Sequence, residues 1–348
     1  MRTLITLFLV AVLAAVGLAA WQIYVPVAPP PGQTFVMLHS GYSTRRIALE
    51  LKKAGIIRSE LAFRLWHIMR PKPTLKAGEY LFESSATLPQ VYSRIARGDI
   101  YFHVVTIPEG YTMFDISKAI EDAGLGSATD FLHIAETQTR LISDIAPDAK
   151  SLEGYLFPNT YQFTRTQSLE EMAAAMVHEF RLVAQQIGLI SENVGRSAEA
   201  AGAPSNSATA VPDVNKIVTM ASIVEKETAA PDERARVASV YYNRLAQRMA
   251  LDADPSVIYA ELLQGTYSGA LHHADLAIDS TYNTYRFPGL PPGPIGNPGR
   301  SALEAALHPE TSKFLYFVSD GNGHHRFATS LDEHNRNVAA YRRALGLR

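Results

Sequence analysis

Two carboxylates stand two residues apart in Ala221-Ser222-Ile223-Val224-Glu225-Lys226-Glu227-Thr228, in an otherwise apolar stretch. Downstream runs a loop rich in proline and glycine, Gly289-Leu290-Pro291-Pro292-Gly293-Pro294-Ile295-Gly296-Asn297-Pro298-Gly299. A carboxyl at the edge of an apolar helix face loses hydration, and its pKa should rise. That is what a general acid working near neutral pH requires. An acid on a buried helix facing a rigid loop would make a cleft of glycosidase type. On a wheel of 100° per residue, Ile217, Met220, Ala221 and Val224 make the apolar face, with Glu225 and Glu227 on opposite edges. Spacing alone does not choose between them, and Glu-Lys-Glu on a helix is also a common solvated face.

Other segments add polar and aromatic groups. Tyr282-Asn283-Thr284-Tyr285 directly precedes the Pro/Gly loop, and flat rings with amides suit sugars. Leu152-Glu153-Gly154-Tyr155-Leu156-Phe157-Pro158-Asn159-Thr160-Tyr161 is a second such loop, which could line a cleft or close the core. Asp254-Pro255-Ser256 reads first as a helix start. Asp254 and Glu153 are the reserve acids. The pairs His272-His273 and His324-His325 do not suggest a metal site, because neighbouring residues rarely face one ion and no HExxH motif or thiolate accompanies them. No Walker, dinucleotide-binding or Gly-x-Ser-x-Gly motif occurs.

The elements that must hold these residues follow from patterning. Residues 4–25 are uncharged and apolar, with Arg2 before them and Arg45 the next charge. The length suits a bilayer span, and the small residues Gly17-Leu18-Ala19-Ala20 also fit a cleaved signal. A retained anchor is the favoured reading, since Trp21 and Tyr24 add interfacial aromatics. Either way the bulk of the chain is exported. The sequence has no cysteine, which suits export. Its 32 basic and 34 acidic residues give a net charge of −2, so nucleic acid is not an expected partner. Residues 26–32 read as a stiff spacer.

An internal repeat follows. Gly41-Tyr42-Ser43 precedes Ile47, Leu51, Gly55 and Ile56, and Gly110-Tyr111-Thr112 precedes Ile116, Ile120, Gly124 and Leu125 at a constant offset. Each copy opens with an alternating strand (35–38, 104–107), and Ser43 or Thr112 caps a helix that ends at glycine. The first copy suggests a LysM-like carbohydrate module. Helices are expected at 168–187, from Asp213, at 232–249, 255–263, 301–307 and 331–345, with a buried strand at 314–318 beside a Gly321-Asn322-Gly323 turn. The small polar stretch 195–212 reads as a flexible, dispensable insertion.

The fold class is therefore α+β: an N-terminal transmembrane helix (1–25), a spacer (26–32), a small LysM-like αβ subdomain (33–103) and a mixed α+β catalytic domain (104–348).

The segments 221–228, Val-Ala-Ser-Val-Tyr-Tyr-Asn-Arg-Leu (237–245), Asp-Pro-Ser-Val-Ile-Tyr (254–259), Tyr-Asn-Thr-Tyr (282–285), Gly-Leu-Pro-Pro-Gly-Pro-Ile (289–295) and Leu-Tyr-Phe-Val-Ser-Asp-Gly-Asn-Gly (315–323) together resemble the MltG-type, YceG-like endolytic murein transglycosylases. The resemblance covers nearly the whole chain. It implies a lyase that cuts the MurNAc–GlcNAc bond of nascent peptidoglycan, leaves 1,6-anhydro-MurNAc ends and ends glycan elongation. It implies glycan strands as substrate, the bacterial inner membrane as anchor with the catalytic domain on the periplasmic side, and peptidoglycan synthases as neighbours. It implies no cofactor and no metal. Resemblance, not the helical wheel, selects Glu227 as the catalytic acid. Glu225, Tyr282, Asn283 and Tyr285 are then candidates to hold substrate. The competing readings are a muramidase, with Glu225 or Asp254 as a second carboxylate, and a non-catalytic peptidoglycan-binding scaffold.

Overall fold

The computed structural model describes residues 2–70, 74–191 and 213–346. The expected insertion at 195–212 lies outside the described residues. The chain divides into two compact units, Met1–Val104 with Gln162–Ser168, and Val105–Tyr161 with Leu169–Arg348.

Unit 1 begins with α1 (Arg2–Tyr24), a 23-residue helix with no buried side chain, in which an 18-residue stretch has a mean hydropathy of 2.6. By length and composition it can cross a membrane. Then come β1 (Thr34–Leu38), α2 (Thr44–Lys53), α3 (Glu60–Ile68), β2 (Gly78–Phe82) and α4 (Leu88–Arg97). Strands β1 and β2 pair antiparallel, Val36 opposite Tyr80 and Leu38 opposite Gly78. Helices α2, α3 and α4 close a core of Val36, Leu38, Ile47, Leu51, Phe63, Tyr80, Val91 and Ile95 around that pair. The helix starts were legible: the Ser43 hydroxyl accepts from Arg46 N–H, and Thr87 and Gln90 form a capping box.

The segment 26–32 is not a free spacer. Val27 pairs both its N–H and its carbonyl with Ala86, at 2.9 and 3.0 Å, because an extended backbone beside a strand end satisfies its polar groups there. Segment 162–168 joins unit 1 through Arg165. Its guanidinium meets Glu79, a 1 % exposed carboxylate, at 2.7 Å, and His103 meets the other Glu79 oxygen at 2.7 Å.

The chain passes between the units at β3 (His103–Thr106) and β4 (Thr160–Phe163), which pair with each other. Between them lie α5 (Met113–Asp122) and α6 (Ala128–Thr137). Unit 2 continues with α7 (Leu169–Gln186), α8 (Val214–Glu227), α9 (Arg234–Ala246), α10 (Asp254–Gln264), α11 (Arg300–Leu307), β5 (Tyr316–Ser319), β6 (His325–Ala328) and α12 (Leu331–Ala344). Thr112 caps α5 and Asp213 caps α8 through side-chain oxygens, and Gly55 and Gly124 take positive φ after α2 and α5. Both copies of the strand–turn–helix repeat are therefore present.

Helix α8 is the hub, packed against α9, α10 and α11. The expectation of a single apolar face fails here. Every residue from Val218 to Val224 is buried, while Ile217 is only half-buried. The hydroxyls permit this: Thr219 donates to the Asn215 carbonyl and Ser222 to the Thr219 carbonyl, each at 2.7 Å. Their polar groups are satisfied within the helix, so they enter the core at little cost.

The strand expected at 314–318 is β5, shifted to Tyr316–Ser319 and half-buried rather than buried. Among the described residues it pairs only with β6, Tyr316 opposite Ala328 and Ser319 opposite His325, and the Gly321-Asn322-Gly323 turn joins them. A two-stranded hairpin leaves one face open, which a fully buried strand would not.

Candidate active site

Glu227 is the last residue of α8, and Thr228 takes an extended conformation (φ −138°, ψ 130°) that ends the helix. The Thr228 hydroxyl accepts from Ala230 N–H at 3.1 Å and turns the chain toward α9. This places the Glu227 carboxyl in a cavity of about 280 Å³. Its lining also includes Tyr241 and Arg244 of α9, Asp252 just before α10 and Asp254 at its start, Tyr285, Tyr316 and Phe317 of β5, and His334 of α12, with the apolar Val240, Leu251 and Leu315 beside them.

Burial pushes the Glu227 carboxyl up to about 7. The Tyr241 hydroxyl donates to it and pulls the other way, while the negative charge of Asp254 pushes it up further. A carboxylate in the last turn also meets the negative end of the helix dipole. Tyr241 is itself buried, with its ring edge-on to Phe317 at 5.8 Å, and its own pKa lies well above the usual phenol value. It therefore stays a donor.

Arg244 organises the far wall. Its guanidinium donates to the carbonyls of Leu315 (2.9 Å), Ala250 (3.1 Å) and Leu251 (2.7 Å) and to Asp252 (3.1 Å). It also lies 5.3 Å over the Tyr316 ring. Asp252 sits at φ +53°, a left-handed conformation uncommon outside glycine, and the Arg244 contacts hold it there. Across the cavity the Tyr285 hydroxyl donates to Asp254 at 2.5 Å. His334 stacks on Tyr316 at 5.2 Å, and its Nδ1 is buried without a hydrogen-bond partner. Burial and the Arg244 charge hold its pKa below the usual imidazole value, so it is neutral near pH 7.

Of the residues singled out from sequence, Glu227, Tyr285 and Asp254 share this cavity. Glu225, Tyr282, Asn283 and Glu153 are not among its lining residues. Glu225 accepts from Arg234 at 2.7 Å and from Gly299 N–H at 2.9 Å, with both charged side chains under a tenth exposed. Burial raises its pKa, against the pull of Gly299 and Arg234. Asn283 is fully buried, donates to the carbonyls of Leu276 (3.0 Å) and Ile278 (2.9 Å), and accepts from Tyr285 N–H (3.1 Å). It holds Tyr285 in place. Tyr282 packs on Tyr259 with ring centroids 5.1 Å apart, and burial pushes its hydroxyl up to about 12.

The Pro/Gly loop also lies elsewhere than expected. It does not face Glu227. Ile295 N–H donates to Ser222 at 3.0 Å, and Asn297 bonds Tyr111, Leu156 and Glu153 at 2.7–2.9 Å. The loop is welded to the side of α8 that carries Glu225, because its backbone polar groups are buried and must find partners. Glu153 is part of this weld: it is 1 % exposed, accepts from Met113 N–H at 3.0 Å, and burial pushes it up to about 7.

The adjacent histidines do share a partner. His324 and His325 both reach Glu233, at 3.4 and 2.8 Å. The described residues hold no group of three potential metal ligands. Sequence reasoning passed over Tyr241, Arg244 and His334 as site residues. Tyr241 fits the core spacing of α9, and nothing near His334 in sequence marks it.

Comparison with known proteins identifies the family of the chain. The model of the YceG-like family matches residues 36–340. An endolytic murein transglycosylase of Bacillus subtilis is 32% identical over 321 residues, covering 88% of this chain and 84% of that protein. One from Streptococcus pneumoniae is 30% identical over 338 residues, again 88% of this chain but 58% of the longer relative. A crystal structure of a protein described as yceG-like, from Listeria monocytogenes, superposes with a TM-score of 0.56 at 31% identity, covering 87% of this chain and 98% of that one. This chain belongs to the YceG-like family.

Proposed function

We propose that this protein is an endolytic peptidoglycan lytic transglycosylase with Glu227 as its catalytic acid and base. The observation that carries the reading is the place of Glu227 at the end of α8, in a polar cavity that it shares with Tyr241, Asp254 and Tyr285, where burial pushes its carboxyl up to about 7. The names of the Bacillus subtilis and Streptococcus pneumoniae relatives support the substrate.

Protonated Glu227 gives its proton to the oxygen between MurNAc and GlcNAc as the bond to the MurNAc anomeric carbon breaks. Positive charge grows on that carbon, and the Asp254 carboxylate across the cavity offsets it. Glu227, now an anion steadied by the Tyr241 hydroxyl, takes the proton of the same sugar's 6-hydroxyl. The freed oxygen closes the 1,6-anhydro ring. One carboxylate serves both halves because acid and base act in sequence. Tyr285 and His334 supply hydrogen-bonding groups to the sugar. Asn283 acts through Tyr285, and Glu225 and Tyr282 support the scaffold around the cleft.

Asp254 in the same cavity favours one second reading, a muramidase in which that carboxylate activates water. Digestion of purified glycan strands followed by mass analysis separates the two. Anhydro ends support the transglycosylase, and reducing ends establish the hydrolase. Glu227→Gln should lower turnover by at least about 10²-fold, the scale of acid–base assistance. Full activity in that variant would remove Glu227 from the mechanism.

We further propose that α1 is a retained single-pass anchor in the inner membrane, with the rest of the chain on the periplasmic side near peptidoglycan synthases. The 23-residue helix Arg2–Tyr24, uncharged after Arg2, supports this. The β1–α2–α3–β2 order, two helices joining an antiparallel pair, supports a LysM-like glycan-binding role for unit 1.

A further inference from the structure

Helix α3 carries apolar side chains on both faces. Ala62, Phe63 and Trp66 point into the core of unit 1. On the other face Leu61, Leu65 and Ile68, with Met69 at the helix end, are 61, 49, 66 and 80 % exposed. Their spacing sets them in one stripe within about 100° of the helix circumference. A helix on a water-facing surface carries polar residues there. Arg64 flanks the stripe, and Arg70 follows just past the helix end, both exposed. Glu60, the single carboxylate of the helix, is taken by Lys52 at 3.1 Å.

A larger exposed apolar surface of unit 1 is α1, and α3 is fastened to its last turn. The Arg58 guanidinium, just before α3, donates to the carbonyls of Val25 and Pro26 and lies 4.7 Å over the Trp21 ring. Tyr24 meets Trp66 of α3 edge-on at 6.0 Å. Arg70 lies 4.0 Å over the same Trp66 ring. Aromatic residues at the end of a membrane-crossing helix sit at the headgroup level. A helix clasped to that end lies at the same depth. An amphipathic helix in the interface buries its apolar face about 5–10 Å into the headgroup boundary, which the stripe matches in width and in its cationic border.

We propose that α3 is a second membrane contact of this protein, its Leu61, Leu65, Ile68 and Met69 stripe set into the bilayer surface that α1 crosses, with Arg64 and Arg70 at lipid phosphates. The inference rests on α1 spanning the membrane. It makes unit 1 a body seated on the bilayer, not one tethered above it.

The sequence has no cysteine, so single cysteines can be placed and spin-labelled without background. The variants are Leu13→Cys in α1, Leu65→Cys and Met69→Cys on the stripe, and Asn322→Cys in an exposed turn of unit 2. The full chain is placed in lipid nanodiscs of phosphatidylethanolamine and phosphatidylglycerol, and collisions with oxygen and with a water-soluble nickel complex are measured. Lipid contact gains oxygen access and loses nickel access, whereas burial in protein loses both. The expected result is the lipid pattern at 13, 65 and 69 and the water pattern at 322. The lipid pattern at 13 with the water pattern at 65 and 69 overturns the second contact and leaves the anchor. Loss of both probes at 65 and 69, or dipolar broadening between labels, assigns the stripe to a protein partner or a second copy and overturns the proposal. The water pattern at 13 removes the anchor, and this inference with it.

Discussion

Glu225 and Glu227, two residues apart on α8, leave the helix on opposite sides and meet opposite chemistry. Glu225 is locked to Arg234 and Gly299. Glu227 meets one neutral donor, Tyr241, and the negative Asp254. The first carboxylate is compensated, and the second, pushed up to about 7, keeps a substantial protonated fraction at neutral pH. One helical motif thus sends one carboxylate to a buried ion pair and the other, the acid of the proposed mechanism, to an open cavity, as an offset of two residues on a helix allows.

The Glu227 environment predicts opposite shifts in two variants. The reaction needs Glu227 protonated in the free enzyme, so kcat/KM should fall as pH rises through about 7. Tyr241→Phe removes the hydrogen bond that favours the anion, so the pKa rises and the alkaline limb moves to higher pH. Asp254→Asn removes the charge that disfavours the anion, so the limb moves to lower pH. A pH–rate profile of each checks the signs. Shifts in the same direction would mean that Glu227 is not the group titrating.

Glu225→Ala should cost stability more than chemistry. It leaves Arg234, 7% exposed, without its 2.7 Å partner. Breaking a buried pair costs about 3–5 kcal/mol. Glu109, 3.6 Å from Arg234, offsets part of that and sets the expectation at about 3 kcal/mol, the low end of the range. Urea unfolding measures it. Activity per folded molecule should stay within a few-fold, unlike that of Glu227→Gln.

Gly154→Ala tests the weld behind the site. Gly154 stands at φ +88°, and a Cβ there would lie 2.5 Å from Pro294 and 2.8 Å from Val218. Neither the proline ring nor a core valine of α8 can give way cheaply. The loss should be about 2–4 kcal/mol, combining backbone strain with overpacking. Thermal unfolding reads it. An unchanged Tm would show that the Pro/Gly loop is loosely held.

The sequence made the helices of unit 2 legible because their caps and apolar periodicity agree. Asp213, Thr112 and the Met172, Met176, Phe180 and Val183 series all stand where patterning put them. The cleft was less legible. A Pro/Gly loop near an acidic helix in sequence invites the two to be set face to face. Only the fold reveals that Ser222 and Glu225, not Glu227, hold that loop. The true walls come from α9, β5 and α12, which no local spacing brings together. The start of unit 1 was partly legible too: the long apolar helix could be read, but not the clasp of Arg58 on Val25 and Pro26.

His334 offers the last test. Its Nδ1 is buried, unpartnered and part of a cavity wall that Glu227 shares. An unpaired buried nitrogen costs stability unless something fills its valence. Bound substrate can, through a hydroxyl or an acetamido group. Because the ring is neutral near pH 7, it contributes a hydrogen bond without altering the charge around Glu227. His334→Ala should therefore raise KM by roughly tenfold, the scale of one buried hydrogen bond of about 1.4 kcal/mol. It should leave kcat and the pH limb near their original values, the pattern of an interaction made equally in ground and transition states. Initial rates over a range of glycan concentrations decide it. A fall in kcat with KM unchanged would place His334 in the chemical step instead.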